Sequence, residues 1–397
     1  MPERTRAHTV GLTAAILGLA AVTLLPFATL RSSRIQTGES LSALDALGPW
    51  GLVALLAVWL AVAVASLGGM PRIPAAALRG VLGTLALLGT VALSAAAVAR
   101  LTDPSTPYAR VSLGTGAWAC IAIAYSLVLA SRREDGLPRL ARAILSLAAP
   151  LGIAVMLATG TLDGLAIMRE YANQSDRFWA EVAAQLRFAG IAVTVALVLG
   201  TALGVLAFQR PRLRDPVFAV ANIFQTIPGL AMVGLLFAPL SWLGSNIPLF
   251  GRLGVGGLGW APVITALTLY ALLAIVRNTY AGLASVPAAA VDAGLGMGMT
   301  EWQVMRRVRF PLAMPVIFGG MRTAAVQTLG NATLGAFVAA GTLGLFVFGG
   351  LSQQAMDLIL LGSVALVLLA LALDGILRAL QGLVSPRHLR GREGAPR

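Results

Sequence analysis

Ten long apolar segments constrain this chain more than any other feature of its sequence. Each holds about 20 mostly apolar residues, the length an α-helix needs to cross the hydrocarbon core of a bilayer. Of the 397 residues, 58% are hydrophobic and 11% are charged, and a soluble exterior must be largely polar. The sequence therefore predicts an all-α integral membrane protein with spans near residues 10–30, 47–68, 80–99, 112–130, 143–160, 188–208, 216–240, 258–277, 310–330 and 355–378.

Two apolar segments need separate treatment. Arg4 and Arg6 precede the first one, as basic residues do in a signal peptide. The run is about 20 residues long and no clear cleavage site follows it, so we expect a retained span. A further apolar run near 333–351 is interrupted by several glycines, which favours a re-entrant or interfacial segment.

The positions of the arginines predict the orientation. All 29 basic residues are arginine. With the N-terminus inside, 20 of them fall in inside segments and 8 in outside segments, while Arg322 lies within a span. Because positive residues favour the cytoplasmic side, this asymmetry predicts ten spans with both termini cytoplasmic. It also accounts for the net charge of +13 without a nucleic-acid partner.

Several chemistries are disfavoured by what the chain lacks. It has no lysine, and a phosphate-binding P-loop needs one, so any ATP must be hydrolysed by a partner. The two histidines, His8 and His388, lie in polar tails, which disfavours a histidine metal or catalytic site within the membrane. Cys120, the single cysteine, has no partner for an intrachain disulfide.

The longest predicted external connection separates two blocks of five spans. It covers residues 161–187, and Phe178, Val182 and Leu186 follow one another at helical spacing, so we expect an amphipathic helix near the outer surface, or alternatively a solvated loop. The predicted organisation is an N-terminal extension at 1–160, this connector at 161–187, a five-helix core at 188–380 and a basic cytoplasmic tail at 381–397.

A compact basic segment at 285–311 lies within the core, between the eighth and ninth predicted spans of the chain. Ser285 as the N-cap and Pro287 in the first turn predict a short helix reaching about Ala293. Gly294, Gly296 and Gly298 then predict a break, since glycine permits positive φ. Thr300, with Gln303 three residues later, predicts a capping box on a second helix. Pro311 then opens the ninth span.

The spacing of this segment resembles the "EAA" loop of binding-protein-dependent ABC importer permeases. The matching positions are Asp292-Ala293-Gly294, Gly298 and Val308-x-Phe310-Pro311, with Asp in place of Glu and Gly in place of the second Ala. In that family the loop docks into a cleft on the ATPase subunit. The resemblance implies that ATPase coupling is carried by Asp292, Ala293, Gly294, Gly298, Trp302, Arg306, Val308, Phe310 and Pro311.

Two sequence runs on either side of the loop resemble a particular subgroup of these permeases. Asn222–Leu236, "NIFQTIPGLAMVGLL", and Gly319–Gly344, "GGMRTAAVQTLGNATLGAFVAAGTLG", resemble the glycine betaine, choline and osmoprotectant permeases of the type I fold. The likeness covers about residues 185–380. A subset of those permeases carries a multi-span N-terminal extension, as this chain does, and the residues suggest no mechanism for it.

The resemblance also implies partners and location. An ABC ATPase would carry the ATP and Mg²⁺, so no cofactor is expected in this chain. A separate periplasmic or lipid-anchored solute-binding protein would supply the aromatic cage that grips a quaternary ammonium ion. A second permease subunit, expected to be another copy, would complete the pore in the lipid of the bacterial inner membrane.

Polar residues inside two core spans suggest a translocation path. Amides and proline in lipid are tolerated where they face protein or water, so they either line the path or join helices by hydrogen bonds. For Arg322, backbone carbonyls or a water-filled path are the expected partners, because no acidic residue is obviously central in a neighbouring span. The candidate path residues are Gln225, Thr226, Pro228, Arg322, Gln327, Asn331 and Thr333.

Three other functions remain as alternatives. The loop does not discriminate solutes, so the permease can serve an amino acid or a sulfonate instead. An ion-coupled secondary transporter would favour carboxylates in mid-span and inverted repeats, and neither is evident. An intramembrane enzyme would need a catalytic constellation that the sequence does not supply.

Overall fold

The computed structural model describes residues 2–33, 38–67, 70–102 and 108–384. The chain forms two compact units, one of Met1–Asn173 with Gln353–Asp357 and one of Gln174–Ser352 with Leu358–Arg397. Most of the predicted basic tail, including His388, lies outside the described residues, as does the side chain of His8.

The first unit is a helical bundle with a small sheet. Trp59, Phe27 and Leu55 are buried in its core among alanines. Ser42 caps α2 by accepting a hydrogen bond from Asp45 N at 3.2 Å, and α2 bends at Gly48, where φ is 72°. The helices are α1 Pro2–Leu24, α2 Ala43–Ser66, α3 Arg72–Leu101, α4 Thr115–Arg132, α5 Arg139–Ala158 and α6 Ala166–Asn173.

The sheet is antiparallel, with β1 Ala28–Arg31 between β2 Glu39–Leu41 and β3 Arg110–Leu113. Ala28 faces Leu41 on one side and Leu113 on the other. The predicted all-α class is confirmed for the long helices, and this sheet is an addition that the sequence did not predict.

The second unit is built around one buried helix, α11, which carries the largest buried share among the apolar helices. Small residues let its neighbours approach closely; a Cβ on Gly204 of α7 would lie 2.6 Å from Thr279 Cβ of α11. The elements are α7 Ser175–Gln209, α8 Pro211–Thr226, α9 Gly229–Asn246, α10 Pro248–Arg252, α11 Trp260–Ala284, α12 Ala288–Gly296, α13 Glu301–Val304, a π-helix Met305–Arg309, α14 Phe310–Asn331, a 3₁₀-helix Ala332–Val338, α15 Gly344–Ser352 and α16 Met356–Val384.

The predicted spans correspond closely to the observed helices. Among the described residues, eight helices are long and apolar enough to cross a membrane: α2, α3, α4, α5, α7, α9, α11 and α16. The first predicted span is a shorter apolar helix at Thr9–Leu24, and the ninth is α14, whose 22 residues are more polar.

Two predicted segments were wrong in detail. The seventh span, 216–240, is not one helix, because α8 ends at Thr226 and α9 begins at Gly229. The connector at 161–187 is not one amphipathic helix either; it comprises α6 and the first turns of α7. Phe178 and Val182 are buried as expected, but Leu186 is 44% exposed.

Candidate coupling loop and translocation path

The candidate coupling loop, residues 285–311, contains α12, a glycine turn and α13. Pro287 occupies the N-cap of α12, so the predicted N-cap role of Ser285 was wrong. Ser285 ends α11, and its Oγ donates to Gly282 O at 2.8 Å. The helix also runs past Gly294 to Gly296. Only Gly298 has positive φ, at 81°, which glycine adopts without steric cost.

The predicted capping box at the start of α13 is confirmed. Gln303 N donates to Thr300 Oγ1 at 3.3 Å, and Thr300 N donates to Gln303 Oε1 at 2.9 Å. These reciprocal bonds satisfy two backbone donors that a helix start leaves free. Since the chain is helical from Glu301 to Asn331, the cap fixes one end of a rod that runs into α14.

A π-helix joins the loop to α14, and the sequence did not predict it. Met305–Arg309 adopts this conformation immediately before Phe310 and Pro311 in the first turn of α14. A π-helical turn is rare and is often found at functional sites. It places Val308 and Phe310 against a small apolar cluster that holds the loop to the ends of α11 and α14.

This cluster divides the loop into a buried face and an exposed face. Val291 of α12 and Val304 of α13 are buried in it. Gly294 is buried beside them, and a Cβ there would lie 3.3 Å from Val304 Cγ2. The predicted coupling residues that are exposed are Asp292, Ala293, Gly298, Trp302, Arg306 and Pro311.

A cleft of about 590 Å³ lies beside the exposed face. Trp302, which is 66% exposed, lines it together with the end of α7. A bulky apolar side chain beside an open cleft is suited to contact with another protein. The lining residues are Phe208, Gln209, Val291, Leu295, Glu301, Trp302, Val304, Met305 and Arg309.

One cation–π contact connects the loop to α7 and another connects α8 to α11, and neither was predicted from the sequence. Arg309 Cζ lies 5.1 Å from the ring centroid of Phe208. The Phe208 ring centroid is 6.1 Å from that of Tyr280, and Arg214 Cζ is 5.1 Å from the Tyr280 centroid. Such contacts attract a guanidinium to the ring face. No spacing rule identifies them, because the partners come from distant parts of the chain.

Among the candidate path residues, Gln225, Thr226 and Pro228 lie at the break between α8 and α9. Gln225 Nε2 donates to Tyr270 O at 2.9 Å, while Tyr270 Oη donates to Ile227 O at 2.6 Å. Thr226 Oγ1 donates to Ile223 O at 2.8 Å. The broken helix is therefore held to α11 by two hydrogen bonds, and the Gln225 amide takes part in that clamp.

Arg322 has a carboxylate partner, which corrects the expectation of carbonyls or water. Arg322 Nε donates to Asp374 Oδ1 at 2.5 Å. The other oxygen of Asp374 accepts a hydrogen bond from Arg378 Nη2. Asp374 lies 52 residues away on α16, so the pair forms only when α14 and α16 pack together. The ion pair neutralises Arg322 within the helical bundle.

The remaining path candidates lie at the end of α14. Gln327 is exposed, and Asn331 is half-buried at the last residue of the helix. Thr333 Oγ1 donates to Gly330 O at 2.9 Å. Gln185 of α7, which was not predicted from the sequence, is fully buried beside them. Its Nε2 donates to Leu329 O at 2.6 Å and its Oε1 accepts from Leu343 N at 3.2 Å.

Among the described residues, no group of three or more His, Cys, Asp or Glu side chains could hold a metal ion. Cys120 is buried in the first unit, and its Sγ lies 3.9 Å from Gly18 O.

Two family models match the chain. Residues 192–390 match the binding-protein-dependent transport system inner membrane component, and residues 6–168 match the N-terminal domain of the ABC transporter permease YehY. The second match covers the region for which the sequence offered no mechanism.

The chain is also similar to named permeases. It is 41% identical over 200 residues to the osmoprotectant import permease protein OsmW of Salmonella typhimurium, covering 50% of this chain and 88% of that one. It is 40% identical over 195 residues to the glycine betaine/carnitine/choline transport system permease protein OpuCD of Bacillus subtilis, covering 49% and 78%.

Among solved structures, an inward-facing form of the MetNI methionine ABC transporter is 23% identical. The alignment covers 54% of this chain and 99% of that one, with a TM-score of 0.47. The family assignment of this chain depends on the family model matches and not on this structural likeness. From the model spanning residues 192–390, half of the chain, this protein belongs to the family of binding-protein-dependent transport system inner membrane components, the ABC importer permeases.

Proposed function

We propose that this permease imports an osmoprotectant of the glycine betaine or choline class. The similarity to OsmW and OpuCD supports this solute class, since it extends over about half of the chain at about 40% identity. The family match over residues 192–390 includes both the candidate coupling loop and the candidate path residues. Affinity for the quaternary ammonium group would come from a separate solute-binding protein, because aromatic residues make up only 6% of this chain.

The exposed face of the coupling loop is the proposed docking site for a separate ATPase subunit. The observation that carries this proposal is the contrast within one short segment: Val291 and Val304 anchor the loop, while Trp302 projects beside the 590 Å³ cleft. A well-anchored loop with one large exposed aromatic can transmit a push without deforming. ATP and Mg²⁺ would be bound by that partner, and this chain would have no catalytic step.

Movement of the ATPase subunit would be transmitted to the membrane-spanning helices through two sets of contacts. The helical rod that starts at Glu301 continues directly into α14, which carries Arg322. Arg309 also contacts Phe208 at the end of α7. Movement of the ATPase subunits would therefore displace α7 and α14 together, as alternating access by rigid-body motion requires.

Two permease subunits, proposed to be two copies of this chain, would enclose the path. Each copy has one coupling loop, so a pair would engage the two halves of an ATPase dimer. Gln327, Asn331 and Thr333 are proposed to line the path, with Gln225, Thr226, Pro228 and Arg322 shaping it. We further propose the bacterial inner membrane as the location, with both termini cytoplasmic.

Reconstitution with the ATPase and the binding protein tests the coupling proposal. Trp302→Ala should reduce ATPase co-purification and uptake of labelled glycine betaine at least tenfold, because a central aromatic contact contributes about 2 kcal/mol or more to an interface. The matched control is Trp50→Ala, in the first unit, where Trp50 is 84% exposed. Equal effects of the two substitutions would contradict the docking site.

The solute class is tested with the same vesicles. Uptake of labelled glycine betaine and choline should depend on ATP and on the binding protein, and excess unlabelled alanine or taurine should not compete. If an amino acid or a sulfonate competes and choline does not, the osmoprotectant assignment fails while the coupling proposal stands.

A further inference from the structure

A cavity of about 280 Å³ lies in the first unit, and none of its lining residues belongs to the coupling loop or the candidate path. It forms where α1, the start of α3 and the end of α4 meet. On the predicted topology this end of the unit faces the cytoplasm. Its lining is Val10, Gly11, Arg72, Arg79, Leu127, Ala130, Ser131, Arg133, Glu134 and Asp135.

Arg79 is buried in this lining but incompletely paired. Its side chain is 4% exposed, and Nη2 lies 4.0 Å from Glu134 Oε1. Its Nη1 has no hydrogen-bond partner in the part of the chain that the structure describes. A buried charged donor without a partner is costly, so a ligand that supplied an acceptor would be strongly favoured.

Glu134 cannot satisfy Arg79 fully, because it is shared. Its Oε2 accepts a hydrogen bond from Arg72 Nε at 3.0 Å. Ser131 adds a second unmet group, since its Oγ is buried and has no partner among the described residues. Arg133, also in the lining, is exposed. The unmet groups are therefore a guanidinium and a hydroxyl, with a second guanidinium nearby.

We propose that this cavity binds a phosphate group, held by Arg79, Ser131 and Arg133. A guanidinium donates two parallel hydrogen bonds to phosphate oxygens, and a hydroxyl donates a third. The excess of arginines over carboxylates in the lining favours an anion. The phosphate belongs either to an anionic phospholipid headgroup or to a dissolved phosphate, and the two sources present the same oxygens to the site.

The test uses the full-length permease, delipidated in dodecyl maltoside, which contains no phosphate. Melting temperature is followed while inorganic phosphate is added, against chloride at equal ionic strength. A second titration uses phosphatidylglycerol. We expect a saturable rise of about 2 °C or more with one or both ligands. Phosphatidylglycerol alone would identify a lipid headgroup, and inorganic phosphate alone a soluble ligand.

Substitutions locate the effect. Arg79→Met retains the apolar stem and should weaken the binding roughly tenfold or more, as loss of a charged hydrogen bond predicts. The control Arg139→Gln removes an exposed charge outside the lining and should bind as the wild type does. If Arg79→Met does not fold, Ser131→Ala and Arg133→Gln provide the same comparison.

Two results would overturn the proposal. The first is the absence of any saturable stabilisation of the wild type by either ligand, which would leave water in the cavity. The second is equal stabilisation of the wild type and the variants Arg79→Met, Ser131→Ala and Arg133→Gln, which would place the anion elsewhere.

Discussion

Arg79 and Arg322 each lie within a long helix, yet their surroundings differ. Arg322 shares Asp374 with Arg378, so both oxygens of that carboxylate are bonded. Arg79 has only a distant oxygen of Glu134, and its Nη1 lacks a partner among the described residues. The closed network of Arg322 joins two helices of one unit. The network around Arg79 leaves a donor without a partner, as a ligand site requires. The two arginines therefore differ in whether their hydrogen-bond donors are satisfied, and not in how deeply they are buried.

The largest effect is expected from Asp374→Asn. Arg322 and Arg378 would then have no carboxylate between them, and Arg322 is only one third exposed. We expect the melting temperature to fall by about 5 °C or more. The matched control is Asp215→Asn, whose side chain is 92% exposed, and it should change little.

A double variant decides whether charge is the cause. Arg322→Met combined with Asp374→Leu should recover much of the loss, because an apolar pair replaces an unpaired cation. If the double variant melts no higher than Asp374→Asn, the network stabilises α14 and α16 by some means other than pairing.

The second effect concerns Glu134→Gln in the other network. This change removes the carboxylate that lies 4.0 Å from Arg79 Nη2, so we expect about 2 kcal/mol of destabilisation without added anion. Added phosphate or phosphatidylglycerol should recover more stability in this variant than in the wild type. Glu39→Gln, an exposed change in β2, is the control. If added anion stabilises Glu134→Gln and the wild type equally, Arg79 does not differ from Arg322 in needing an anionic ligand.

The sequence predicted features that depend on neighbouring residues. Thr300 and Gln303 are three positions apart, and their capping box follows from helix geometry. Pro228 was identified as an interruption inside the seventh span, although the complete break between α8 and α9 was not predicted there. The apolar segments predicted the helices because each needs only its own composition to enter a membrane.

Features that depend on distant residues were missed. Asp374 pairs with Arg322 across 52 residues, and Glu134 reaches Arg72 across 62. The three strands have three or four residues each, and β1 pairs with β3 about 80 residues later. Ser285 was assigned to the wrong helix, because its hydroxyl bonds backward to Gly282 at the end of α11. Packing of separate elements, rather than local propensity, decides these contacts.

The third test concerns the two uncharged hydrogen bonds that hold the break between α8 and α9 to α11. Tyr270→Phe removes the donor to Ile227 O at the helix break, and we expect about 1 kcal/mol of destabilisation. Gln225→Leu should have a similar effect on stability, since it removes the other bond of the clamp. If Gln225→Leu lowers uptake while Tyr270→Phe leaves it unchanged at equal stability, Gln225 lines the path in addition to holding α8.

The smallest effect is expected from Arg378→Gln. Its side chain is 64% exposed, and an exposed ion pair contributes little because water and salt screen it. Asp374 retains Arg322 in this variant, so no buried charge is left alone. We expect the melting temperature to change by about 1 °C or less. A loss from Arg378→Gln approaching that from Asp374→Asn would mean that the outer arginine completes the network, and that Arg322 alone cannot satisfy the carboxylate.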